Sequence, residues 1–336
     1  MVNRRYTISL WTIVLVGLAL RIASARGGLW LDEAWSAQLA RDAGTPIGVF
    51  LNINHDNNHH LNSLWMQFVG FGAPPMLQRA LSIITGTIAI PVAALIFRAR
   101  GTLVALIAAL LFALSPMAVT MGSEARGYAP MSLAFLTAIL FISRWLAGDA
   151  ADRTRQRLAL CFALGLLSQM TMLFGCVALV GWVFVTLARR NTPLAAVKQT
   201  LTLFAPALIA LLVVLSVIAG AAYASPTGFQ FGDYKPFAML LFLHGIIEML
   251  GYTIGWPVVT LWLIPGTAIL VLLARRAGAT HVAFYGLAIV AFPVTLAVLH
   301  AGNPGHPRYY LVASIALLLL IAEAIGTMLT RRGWQG

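Results

Sequence analysis

Long apolar runs alternate with short polar connectors along the whole chain, and the runs repeatedly approach the ~20 residues that an α-helix needs to cross a bilayer. They fall at 7–23, 81–97, 102–119, 129–145, 158–188, 201–222, 255–274, 282–300 and 310–328. The run 158–188 is too long for one untilted helix and carries Ser168-Gln169-Met170-Thr171 at its middle, which predicts two spans with a break there. Ten spans result. The turn Arg98-Ala99-Arg100-Gly101 predicts a tight hairpin between the second and third, and an amphipathic stretch around 61–71 predicts an interfacial helix in the first loop. The expected fold is all-α, a polytopic membrane protein forming a single transmembrane domain over 1–336. No repeat, low-complexity tract or separate soluble domain is visible. Arg4 and Arg5 ahead of the first run match the opening of a signal peptide, but the run is long enough to span, so a retained anchor is expected.

Charge then orients the chain. Of 336 residues, 60% are hydrophobic and 10% charged, with a formal net charge of +12. The basic residues sit in short clusters between apolar runs rather than along one soluble face, so topology explains them better than nucleic acid does. Placing the N-terminus inside puts 15 of the 22 Lys and Arg on the cytoplasmic side. These are Arg4, Arg5, Arg98, Arg100, Arg144, Arg153, Arg155, Arg157, Arg189, Arg190, Lys198, Arg275, Arg276, Arg331 and Arg332. Both termini are then cytoplasmic, and the opposite face collects Asp32, Glu33, Asp42, Asp56, Glu124, Asp233 and Glu248. Cys161 and Cys176 lie inside apolar runs and read as packing residues.

The chemistry is expected on that acidic outer face. Trp30-Leu31-Asp32-Glu33-Ala34-Trp35 sets adjacent carboxylates between tryptophans, side chains that favour the membrane-water interface. One reading makes Asp32 the cap of a short helix starting at Glu33. The other makes the pair reacting groups for an amphiphilic substrate. Arg126, Lys235 and Arg308 lie at span ends on the same face, placed either to hold an anionic leaving group or to anchor in headgroups. The segment 52–62 gathers His55, Asp56, His59 and His60, types that hold a divalent metal and that also hydrogen-bond substrate hydroxyls. No HExxH or Cys pair accompanies them, and metal dependence stays open. His244 and Glu248, one helical turn apart, either face the cavity together or form a solvated face.

Taken in order, these features resemble the GT-C glycosyltransferases of the protein-mannosyltransferase and aminoarabinose-transferase type. Leu29 to Ser36 resembles that family's acidic first-loop motif. Asn57-Asn58-His59-His60-Leu61 is similar to its His-Pro-Pro-Leu element, with His60 in place of the first proline. Ser123-Glu124-Ala125-Arg126-Gly127-Tyr128 and His306-Pro307-Arg308-Tyr309 resemble its later outer-loop motifs, and Gly165 to Thr171 its span-five turn, where Gln169-Met170 replace a frequent His-Tyr pair. The resemblance implies an inverting transferase of the bacterial inner membrane that uses a polyprenyl-phosphate sugar donor and a glycan, lipid or protein acceptor at the outer face. Asp32 is then the catalytic base with Glu33 beside it. His59, His60, Glu124, Arg126, Tyr128, Lys235, His306, Arg308 and Tyr309 are the expected substrate-binding residues. The alternative is a lipid or lipid-linked-sugar transporter, which should show repeats or paired broken helices.

Overall fold

The computed structural model describes residues 4–149, 153–232, 234–255, 266 and 281–331, and among them the regular secondary structure is helical, with one isolated β-bridge between His55 and Gln230. The helices are α1 (Arg4–Ser24), α2 (Leu31–Asp42), α3 (Pro46–Leu51), α4 (His60–Val69), α5 (Pro75–Gln78), α6 (Ala80–Phe97), α7 (Thr102–Leu114), α8 (Pro116–Met121), α9 (Tyr128–Leu146), α10 (Thr154–Ser168), α11 (Met172–Ala188), α12 (Pro193–Ala224) and α13 (Met239–Ile254). They are followed by α14 (Val282–Val298) and α15 (Leu311–Arg331). Five helical stretches are long and apolar enough to cross a membrane: Arg4–Ser24, Ala80–Arg100, Tyr128–Leu146, Pro193–Ala224 and Pro307–Thr330. With the composition, these make the chain an integral membrane protein. Shorter apolar helices at Thr102–Leu114, Met172–Ala188, Met239–Ile254 and Val282–Val298 accompany them. The predicted span 255–274 lies outside the described residues apart from Gly255 and Gly266, as do Asp233, Arg275, Arg276 and Arg332.

Helix breaks follow local chemistry. The run predicted as one span over 102–119 divides at Ser115-Pro116, because Pro116 has no N–H to give the Phe112 carbonyl four residues back. Arg21 supplies that bond from α1. Its Nη2 donates to Phe112 O at 3.0 Å and Ala118 O at 3.3 Å, and its Nη1 to Gly17 O at 2.9 Å. This side chain is 1% exposed and belongs to the bundle interior. A Cβ on Gly122 would sit 2.6 Å from Arg21 Nε, so the guanidinium passes only because residue 122 is glycine. The break expected at 168–171 is present between α10 and α11, with Gln169 extended at φ −158°.

The two ends of the bundle are different. At one, Arg98 lies over the Tyr6 ring at 4.6 Å and Arg100 pairs with buried Glu323 at 2.5 Å, while Tyr285 donates to the other Glu323 oxygen. Glu323 thus ties the α6–α7 turn to α14 and α15. At the other end, α2, α3 and α4 cover the helix ends; α4 occupies the place of the expected interfacial helix and stops at Gly70, whose φ of +87° suits glycine.

Candidate functional site

The second end holds a cavity of about 1190 Å³ lined by residues from α2, α11, α12 and the loops before α9 and α15. Asp32 occupies the first turn of α2, where the exposed helix N–H groups favour a negative charge. It does not cap the helix. Trp30 is the N-cap, and Glu33 Oε2 accepts from Trp30 N–H at 3.0 Å. Asp32 instead turns to the cavity, where Oδ2 accepts from Arg126 Nη1 at 2.5 Å and from Arg308 Nη1 at 2.7 Å. Arg126 comes from the short loop between α8 and α9, and Arg308 from the 3-10 turn Pro307–Tyr310 that opens into α15. The fold brings together three charges that are far apart in the chain.

Arg126 is held from every side. Its Nη2 donates to Asn57 Oδ1 at 2.6 Å and its Nε to His59 Nε2 at 3.1 Å, with Tyr128 and Trp30 rings at 5.1 and 5.6 Å from the guanidinium carbon. Accepting at Nε2 requires His59 to carry its proton on Nδ1, which donates to Ser168 O at 3.1 Å. That carbonyl is free because α10 stops there. Burial, then the Arg126 charge, pushes the His59 imidazole well below its usual range, so it stays a neutral acceptor. Gly127 allows the approach, since a Cβ there would lie 1.7 Å from Ser168 O. Asn57 was no sequence candidate. Its Nδ2 also donates to Asp32 O and Ser36 Oγ, which fixes the start of α2 against the 52–59 loop.

Glu33 lies outside the cavity lining. At 0% exposure it forms a two-pronged pair with Arg79, Nε to Oε1 at 2.8 Å and Nη2 to Oε2 at 2.5 Å, and accepts from Ala125 N–H at 2.6 Å. Arg79 further donates to the carbonyls of Ala25, Gly27 and Gly28. The hydrogen bonds to Glu33 raise the Arg79 guanidinium above its usual range. With its oxygens so engaged, Glu33, expected as a catalytic group beside Asp32, fastens α2 to α6 and to the Arg126 loop.

The remaining candidates divide. Tyr128, His306, Arg308 and Tyr309 line the cavity, as does Gln169. His60 does not; it is buried against Phe50 at 5.2 Å, and burial lowers its imidazole to about 4. Lys235 is exposed beside the cavity, its backbone N–H donating to Asn303 Oδ1. His244 and Glu248 lie on the exposed face of α13, outside the lining. Among the described residues no three His, Cys, Asp or Glu side chains come close enough to hold a metal, and His55, His59 and His60 face three different neighbours.

Glu124 sits half-buried on the Arg126 loop, and its carboxylate makes no hydrogen bond or ion pair among the described residues. Burial raises its carboxyl from 4.5 to about 7, against the pull of Arg126. Because the folded value lies above the unfolded one, its contribution to stability is complete below about 4.5 and is lost as pH rises through about 7. Glu124→Gln is therefore expected to raise the apparent Tm above neutral pH and to leave it unchanged near pH ~4. Thermal melts across pH, followed by tryptophan fluorescence, measure this; equal Tm values for the two proteins at every pH would refute it.

Comparison of the chain with protein-family models, with curated proteins and with solved structures gives no match, so the function rests on this geometry.

Proposed function

We propose that the protein is an inverting glycosyltransferase that moves a sugar from a polyprenyl-phosphate donor to an acceptor hydroxyl, with a ten-span GT-C-like fold, cytoplasmic termini and its cavity on the outer face. The observation that carries this reading is Asp32 held between Arg126 and Arg308 inside one large cavity. Leu215, Ile218, Ala219 and Ala222 of α12 line the same cavity and supply a wall suited to an isoprenoid chain, while the charges gather at the α2 end.

The chemistry follows from this division. Both arginines hold Asp32 Oδ2, while Oδ1 accepts from no protein group among the described residues. A lipid-linked phosphate arriving at the guanidiniums competes for them and loosens their hold on the carboxylate. The acceptor oxygen then attacks the anomeric carbon as the carbon–oxygen bond to phosphate breaks. The bonding pair leaves with the phosphate, whose growing charge Arg126 and Arg308 stabilise, and the acceptor proton passes to Asp32. A late proton transfer needs no unusually basic carboxylate, because the hydroxyl becomes acidic as its bond to carbon forms.

Reconstitution with a polyprenyl-phosphate sugar and mixed acceptors, read by mass spectrometry, tests the reading. Release of polyprenyl phosphate together with a glycosylated product is expected. Arg126→Gln and Arg308→Gln should each lower turnover by about 100-fold in folded protein. Intact donor that merely exchanges between leaflets would replace this reading with a lipid or lipid-linked-sugar transporter.

A further inference from the structure

Another part of the cavity lining has a chemistry different from that of the α12 wall. Segments 54–56 and 230–232 are joined by Asp56 N–H to Gln230 O at 3.0 Å and Gln230 N–H to Asn54 O at 2.7 Å. This junction fixes a platform. A Cβ on Gly232 would lie 3.6 Å from the outer edge of the Trp35 indole and 3.7 Å from Asp56 Oδ1, so ring, carboxylate and backbone meet at one point. Trp35 is braced edge-on by His55 at 4.5 Å, and Asp56 Oδ1 accepts from Gly232 N–H at 3.1 Å. Asp56 Oδ2 accepts from no protein group among the described residues. Next to Gly232 in the chain, Phe231 meets the Tyr234 ring at 6.5 Å, and Tyr234 packs on Gly302 of the loop leading to Arg308. Trp35, Phe231 and Tyr234 are 38%, 63% and 60% exposed, yet all line the cavity that contains Asp32.

Simple anchoring in the membrane does not account for this arrangement. An interfacial anchor gains from aromatic rings but not from a carboxylate, which the anionic headgroups of a lipid surface repel. Nor does this part of the lining suit the donor phosphate, for the same reason of charge. Exposed ring faces beside a fixed carboxylate with a free oxygen match the apolar C–H faces and hydroxyl groups of a sugar. We propose that Trp35, Asp56, Phe231 and Tyr234 form the acceptor subsite, and that the acceptor is an uncharged glycan. The assignment rests on the glycosyltransferase reading and narrows its acceptor from glycan, lipid or protein to the first.

The test uses the full chain in lipid nanodiscs, with neutral hexose and pentose oligosaccharides as probes and saturation-transfer NMR as the binding readout. Saturable binding without donor is expected. Phe231→Ala and Tyr234→Ala should each weaken it by roughly tenfold, and Asp56→Asn should weaken it without changing Tm. Phe68→Ala removes an exposed aromatic outside the cavity and should leave binding unchanged. No oligosaccharide binding, or equal loss with Phe68→Ala, overturns the subsite. Binding of a polyprenyl-phosphate sugar, measured in parallel, separates the two failures: donor bound and oligosaccharide unbound rejects only this acceptor, whereas neither bound rejects the transferase reading as well.

Discussion

Under the transfer mechanism proposed above, Asp32→Asn protein is expected to accumulate normally and to lose transfer activity by about 100-fold to 10,000-fold. Folding should survive because α2 does not depend on this carboxylate: at its N-terminus Glu33 Oε2 accepts from the Trp30 N–H. Asparagine keeps the shape and one acceptor oxygen for Arg126 and Arg308, but it leaves two guanidiniums without their shared anion. A stability loss on the order of 1–3 kcal/mol is the consequence. Catalysis fails for a separate reason, since an amide cannot take the acceptor's proton. Steady-state turnover and Tm measured on one purified preparation distinguish the two effects. Full glycosyl transfer by Asp32→Asn protein would remove Asp32 as the base and leave the arginine pair to be explained by another reaction.

The neighbouring carboxylate should behave in the opposite way. Glu33→Gln strands Arg79 as a buried cation, and breaking a buried pair of this kind costs about 3–5 kcal/mol. A large fall in apparent Tm and in yield is expected before any effect on chemistry can be read. Arg79→Gln should resemble it or exceed it, because Arg79 also holds the carbonyls of Ala25, Gly27 and Gly28. The double substitution Glu33→Gln/Arg79→Gln should cost less than the sum of the two single changes, since it leaves neither charge alone. An unchanged Tm for Glu33→Gln, with activity lost, would return Glu33 to the reacting groups.

Much of the helical layout was legible in the chain itself. Apolar run length marks a span wherever the solvent around the helix is hydrocarbon, and a polar break at 168–171 or a basic turn at 98–101 marks where a helix must stop. Run length does not reveal Pro116 as the end of α7 unless the missing N–H is counted, and it gives no hint that Arg21 replaces that donor.

Only the tertiary structure separated neighbours of identical chemistry. Asp32 and Glu33 are adjacent carboxylates, but successive residues on an α-helix point about 100° apart, so one faces the cavity and the other the packed interior. His59 and His60 part in the same way, one behind Arg126 and the other against Phe50. Arg79 meets Glu33 across 46 positions of chain, a pairing that no local pattern marks. Sequence determined which segments are long and apolar enough to form membrane-crossing helices, because that property depends on the local transfer of side chains from water. Tertiary structure decided which of those residues form the site: Asp32 meets Arg126 94 positions away and Arg308 276 positions away, and a contact closed by folding over that distance leaves no periodicity in the chain.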